Sequence, residues 1–223
     1  MTIRERFEQQ LAELRQDILQ MGKMVEDELD LALRALDTLD AAMAKQVYAA
    51  DEEVNKMRFA TEEKCFTVIV TQQPAARDLR AVITVMNMIV DLERMGDQAK
   101  GIAKVIPRLQ QHEEIECPLE FKQMGEMVAN MLRQSMMAYQ SDSVTLARRV
   151  ATQDDEVDNL YTRAFGKLMK QMAANDQPDE MEACYELLRV ARELERFGDL
   201  ATNLAERVIY RITGQLKELN LDT

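Results

Sequence analysis

Three acid pairs and one acid-amide pair stand along this 223-residue chain, each pair four residues apart: Asp51 with Asn55, Glu93 with Asp97, Asp154 with Asp158, and Glu195 with Asp199. On a helix, side chains four apart lie one above the other, and like charges so placed repel by roughly 0.2–0.5 kcal/mol even when exposed. Burial raises that cost. A cation held between the carboxylates removes it. Clustered carboxylates are hard oxygen ligands suited to Mg, Mn, Fe or Ca, and an all-helical site of this kind can hold more than one ion. The single histidine, His112, excludes a diiron oxidase built on paired Glu-x-x-His motifs and zinc sites built from Cys and His. It reads as a linker residue.

Two of the pairs lie inside near copies of one stretch, "DLERMGDQA" at Asp91 to Ala99 and "ELERFGDLA" at Glu193 to Ala201. Gly96 and Gly198 within them each cost a helix up to about 1 kcal/mol relative to Ala, which points to a close approach to the backbone there. Ahead of the first copy, Leu79, Val82, Ile83, Met86 and Val90 form an apolar stripe at helical spacing, and the same rhythm lands on Glu93 and Asp97. Met181, Cys184, Leu188 and Ala191 lead likewise to Glu195 and Asp199. In a further stripe, Val150, Val157, Tyr161, Ala164 and Leu168, Asp154 takes the place of one apolar residue. Each half is thus expected to bring two pairs together from neighbouring helices. Spacing alone leaves a second reading open. In it the stripes simply emerge into water near Lys104 and Glu206, and Arg94, Arg192 and Arg196 neutralise the acids without a metal.

The elements that must position these pairs come from an internal duplication. "QMGKMV" at Gln20 and "QMGEMV" at Gln123 begin an alignment that continues through "VYAADEEV" at Val47 and "VATQDDEV" at Val150. Punctuation predicts helices from about Ile3 to Leu39, from about Ala41 to Gln72, and from Pro74 to a stop before Pro107. In the second half Pro118 opens a segment, "QSDS" at Gln140 turns it, the next runs to about Ala173, Asn175 to Pro178 form a break, and the last stops near Gly214. The expected architecture is all-α: two pseudo-symmetric antiparallel three-helix bundles, residues 1–106 and 118–223, joined by a linker at 107–117.

Composition agrees with this class. The chain is 47% hydrophobic and 30% charged, with no Trp, 7 Gly and 4 Pro, which favours helices and argues against disorder. A net charge of -12 without a basic stripe argues against a nucleic-acid binder and suits cations or basic patches on protein partners. Cys65, Cys117 and Cys184 form no CxxC pair, so a reducing, cytoplasmic setting is expected. The 16 methionines, among them Met21, Met24, Met124 and Met127, read as flexible core filler, with a Met-lined partner groove as the alternative. No stretch is apolar enough for a signal core or a membrane span.

At "DEEVNKM" (Asp51), "QQPAARDLR" (Gln72), "DLERMGDQAKGIAK" (Asp91), "DDEVDNLY" (Asp154) and "ELERFGDLATNLAE" (Glu193), the sequence resembles the PhoU family over nearly its whole length. The resemblance implies two three-helix bundles with pseudo-twofold symmetry. It also implies metal binding through E/D-x-x-x-D motifs that fall on Asp51 and Asn55, Glu93 and Asp97, Asp154 and Asp158, and Glu195 and Asp199. Asn55 departs from the acidic pattern, so weaker binding is expected in the first half. Many relatives carry His after Gly-Asp, where this chain has Gln98 and Leu200. The cofactor implied is a divalent or multinuclear metal, iron, manganese, magnesium or zinc. The function implied is that of a non-enzymatic negative regulator of phosphate signalling and uptake. Such a protein is cytoplasmic, a homodimer, and a coupler of the ATPase subunit of a phosphate ABC transporter to a phosphate-sensing histidine kinase, reaching the membrane only through those partners. Two other classes compete: a carboxylate-bridged metal enzyme, against which stands the lack of an identifiable nucleophile, phosphate-cradling loop or general base, and a plain helical scaffold without metal.

Overall fold

The Thr2 hydroxyl accepts from the Glu5 amide at 3.2 Å while the Glu5 carboxylate accepts from the Thr2 amide at 2.7 Å, a capping box that starts α1, Ile3–Asp37. Asp40 accepts from the amides of Ala42 and Met43 and starts α2, Ala41–Gln72. Gln73 ends it in the left-handed region directly before Pro74, and α3 spans Ala76–Leu109. The second half repeats the pattern with α4, Leu119–Ser141, α5, Val144–Ala174, and α6, Pro178–Thr213. Pro178 stands at the start of α6, and Gly214, with φ at 76°, takes the left-handed position that closes it. These helices belong to a computed structural model that describes residues 2–112, 117–174 and 177–215; no strand occurs among the described residues. Residues 113–116 of the expected linker, with Asn175 and Asp176 of the expected break, lie outside them.

The helix limits differ from expectation at two prolines. Pro74 lies outside α3, which begins two residues later, because Ala75 is extended, with φ at -126° and ψ at 156°. Pro107 does not stop α3: the helix runs through it to Leu109. Proline inside a helix costs about 3 kcal/mol. Ile106 and Leu109 are both fully buried there, and burying two such side chains at about 1.5–3 kcal/mol each outweighs that cost.

A pseudo-twofold relationship joins the halves. Met136 of α4 packs over Gly22 of α1, and Leu33 of α1 packs over Gly125 of α4, so matched glycines receive matched side chains from the opposite half. Helices α1 and α4 meet there, and α3 packs along α6. Among the described residues α2 and α5 pack only against helices of their own half. A single hydrophobic cluster runs through all six helices, including Val25, Val54, Leu92, Val128, Val157 and Leu194.

This central placement explains a correction in α3. Of the predicted stripe only Val82 is buried; Leu79 and Ile83 are 36% exposed, and Met86 and Val90 are half-buried. The core face is instead Val82, Val85, Met88, Ile89, Leu92, Met95 and Ala99. With α1 and α2 on one side and α6 on another, α3 is apolar over more than one stripe, and periodicity selected the outer edge. In α6, Cys184 and Ala191 are buried, but Leu188 is half-buried and Met181 is exposed. The α5 stripe holds apart from Tyr161, which is half-buried: Val150, Val157, Ala164 and Leu168 are buried with Asp154 among them. Met21 and Met124 are fully buried core residues.

Candidate functional site

Helices α1, α2 and α3 converge on Gly96. A Cβ at that position would lie 3.0 Å from Glu28 Oε2 and 3.7 Å from Asp51 Oδ1, so the glycine makes room for two carboxylates from two other helices. Glu28 and Asp51 are each only 1% exposed. Asp51 Oδ2 accepts from Lys100 Nζ at 2.5 Å and from Asn55 Nδ2 at 3.1 Å, and Lys100 also reaches Asp97 at 3.8 Å. Both Glu28 oxygens and Asp51 Oδ1 are buried without a hydrogen-bond partner among the described residues. Burial, reinforced by Asp51 and Asp97 and opposed by Lys100, pushes Glu28 up to about 9. It is therefore a neutral acid at pH 7. Glu93 is raised as well, by burial first and then by Asp97 and Asp51, against Arg58 and Arg94.

The second half makes a similar cluster with a different charge balance. A Cβ on Gly198 would lie 3.6 Å from Asp154 Oδ1 and 3.5 Å from Val128 and Val157. Glu195 Oε1 accepts from Arg192 at 3.3 Å, while its Oε2 is buried without a hydrogen-bond partner among the described residues. Asp199 opens to solvent on one side, yet burial on the other, followed by the charges of Glu195 and Asp158, pushes it up to about 6 against Arg192 and Arg196. Glu195 is raised by burial and by Asp158 and Asp154, against the same two arginines. Asp158 is raised by burial and by Asp155.

The fold thus gathers Asp51, Asn55, Glu93 and Asp97 within the first half, and Asp154, Asp158, Glu195 and Asp199 at the matching place in the second. Two residues that spacing did not single out also enter the first cluster, Glu28 and Lys100. Glu28 continues the α1 rhythm Ile18, Met21, Val25, Glu28, Ala32, Ala35, a charged residue at an apolar position, which is the same signal that marks Asp154. Lys100 stands three residues after Asp97 on the face of Glu93. Neither has a counterpart across the duplication: Met131 matches Glu28, and Thr202 matches Lys100. The other side of the repeated stretch faces the opposite half. Asp91 pairs with Arg207 of α6 at 3.6 Å, and the Glu193 carboxyl lies against Gly101 of α3, where a Cβ would come within 2.7 Å.

Oxygen donors of high negative charge fit a hard cation, and the unpartnered Glu195 oxygen together with the mutually raised carboxylates leaves room for one electrostatically. Among the described residues, no three Asp, Glu, His or Cys side chains are already gathered tightly enough to coordinate a single ion. Binding therefore requires side-chain rotation. In the first cluster Lys100 and Asn55 already donate to Asp51.

Fold and site together define an all-helical duplicated protein whose halves each present a carboxylate cluster at the contact of a middle and a third helix. Residues 18–106 and 121–208 each match the PhoU domain, and the chain belongs to the PhoU family. It is 36% identical to the phosphate-specific transport system accessory protein PhoU homolog of Clostridium acetobutylicum, with 97% of this chain and 99% of that protein aligned. The crystal structure of PhoU from Pseudomonas aeruginosa superposes with a TM-score of 0.89 at 33% identity, covering 94% of this chain and all of that one. The phosphate transport system regulatory protein PhoU from Streptococcus pneumoniae superposes with a TM-score of 0.87 at 31% identity, covering 95% of this chain and 99% of that one. No helix among the described residues is long and apolar enough to cross a membrane.

Proposed function

We propose that this chain is a non-enzymatic regulator of phosphate uptake and signalling. It acts as a cytoplasmic, homodimeric adaptor between the ATPase subunit of a phosphate-specific ABC transporter and a phosphate-sensing histidine kinase, and it holds the starvation response off when phosphate is plentiful. Near full-length similarity to proteins named as accessory to phosphate-specific transport carries this reading. A rigid helical body with a charge of -12 offers long faces to basic patches on such partners.

In this reading a divalent cation binds preferentially at Asp154, Asp158, Glu195 and Asp199. It would neutralise those carboxylates and change the field that the acidic face presents. The asymmetry between the halves supports that choice: Asp158 adds a carboxylate where the first half has Asn55, and Thr202 stands where the first half has Lys100. The test is capture of the purified ATPase subunit and the kinase cytoplasmic region by this chain, with and without prior chelation. The reading expects saturable binding of both, weakened by chelation. Absence of binding to either partner in metal-loaded and metal-free protein alike overturns the adaptor role.

A further inference from the structure

Far from both carboxylate clusters, a cleft of about 580 Å³ opens where the N-terminal part of α1, the start of α3 and the ends of α4 and α6 meet. Four arginines line it, Arg4, Arg15, Arg77 and Arg211. That is a local excess of positive charge in a chain of net charge -12. The acids that face it are Glu8, Asp78 and Asp142. Glu8 and Asp78 both pair with Arg4, at 2.8 and 3.0 Å. Asp142 pairs with Arg211 and lies 3.7 Å from Arg15. Arg77 is exposed and makes no ion pair with any acid among the described residues, so its charge is open to the cleft.

Two of the guanidinium groups are held in place before any ligand arrives. Arg15 and Arg211 flank the buried Tyr139 ring, with centroid distances of 5.8 and 4.6 Å, and each donates to the Tyr139 carbonyl at 3.3 Å. Arg15 donates to the Gln140 carbonyl as well. The Arg211 side chain is only 15% exposed, and its Nε is buried without an acceptor among the described residues. Burial lowers its pKa, and the neighbouring Arg15 and Arg77 charges lower it further. The start of α3 adds to this field. Its N-cap, Ala75, has no side chain to accept from the first amides, and Arg77 follows in the first turn.

Guanidinium groups approach one space from three helices, Arg15 and Arg211 pre-ordered and Arg77 without an acid partner among the described residues, and together they match a tetrahedral oxyanion that offers acceptors in several directions. We propose that this cleft is a phosphate-binding site, taking inorganic phosphate or the end of a phosphate chain, with Arg77 and Arg211 as its principal donors. The cleft itself follows from geometry; the choice of phosphate over other dianions rests on the regulatory reading above.

The test uses the full chain, stripped of metal by chelation so that phosphate cannot be retained through the carboxylate clusters. Calorimetric titration is made with inorganic phosphate, with tripolyphosphate and with sulfate at matched ionic strength. Saturable phosphate binding with Kd on the order of 1 mM or tighter, preference over sulfate, and an affinity loss of at least about tenfold in R77A support the site. Tripolyphosphate binding more tightly than phosphate identifies the chain end as the ligand; equal or weaker binding identifies the free ion. R77A removes an exposed side chain, so the fold persists and its loss of binding reads the site directly. No saturable binding of either phosphate form, equal binding of sulfate, or unchanged affinity in R77A overturns the proposal. None of those results bears on partner capture, so the two readings fail separately.

Discussion

Lys100 Nζ sits 2.5 Å from Asp51 Oδ2, a cation from α3 seated on a buried carboxylate of α2. Across the duplication Thr202 stands at the position of Lys100, and Asp154 at that of Asp51. The two halves therefore use one backbone arrangement for two electrostatic solutions. The first carries its own positive charge on the half-buried Lys100, while the second is countered by the exposed Arg192 and Arg196 and keeps Asp158, Glu195 and Asp199 raised.

Replacing Lys100 by Thr makes the first half resemble the second. The loss leaves Asp51 buried with Asn55 as its remaining donor, and metal-free stability falls by about 1–3 kcal/mol. A divalent cation in excess restores part of that loss in K100T but adds less to the wild type. Urea denaturation with and without manganese reads both effects; equal manganese stabilisation of the two proteins contradicts the role given to Lys100.

Glu28 sets a pH dependence whose sign follows from its raised pKa. The folded state keeps a proton up to about 9, whereas the unfolded chain releases it near 4.3. The stabilising contribution is complete below that lower value and is lost as pH rises through the window between the two, by up to about 1.4 kcal/mol per pH unit. E28Q keeps a neutral hydrogen-bonding group and removes the titration. Chelated wild-type protein is expected to lose stability from pH 5 to 9 more steeply than E28Q; parallel curves contradict this assignment.

Metal binding at the proposed second-half site is expected to depend on pH near pH 6 through Asp199. Its pKa of about 6 in the metal-free protein means that a cation must displace a proton below that pH. Metal affinity is expected to rise between pH 5 and 7, with proton release that disappears above about 7, and D199N flattens the profile. Calorimetry in two buffers of different ionisation enthalpy measures the released proton directly.

Two glycines separate the cost of a helix from the need for space. Gly166 has no neighbour within 4 Å of a built Cβ, so G166A stabilises the protein by up to about 1 kcal/mol. At Gly96 the added methyl meets the buried Glu28 carboxyl at 3.0 Å. G96A is expected to destabilise by about 1–3 kcal/mol despite the same gain in propensity. Thermal unfolding of the two variants side by side distinguishes them.

The six helices were legible because punctuation in this chain is strong: Asp40, Pro74, Pro118, Asp142 and Gly214 all stand at or beside helix ends. Pro107 misled because burial of Ile106 and Leu109 outweighs a proline in the last turn. The carboxylate positions were legible as polar interruptions of apolar rhythm, and the fold does gather them by halves. The α3 stripe misled because a helix packed on two sides has no single apolar face. Glu28 carried the same signal in α1 but lacked a partner four residues away, and Lys100 lies outside any acid motif. The arginine cleft was hidden because its residues come from four helices and are brought together only by the docking of one half on the other.

The central claim is that the second carboxylate cluster holds a metal ion and the first does not need one. The most direct measurement is elemental analysis of metal per chain in anaerobically purified, tag-free protein, run for the wild type, E195A/D199A and D51A. Stoichiometric divalent metal is expected in the wild type, with nearly complete loss in E195A/D199A and retention in D51A. A wild type that stays empty after reconstitution, or metal that survives in E195A/D199A and disappears in D51A, contradicts that claim.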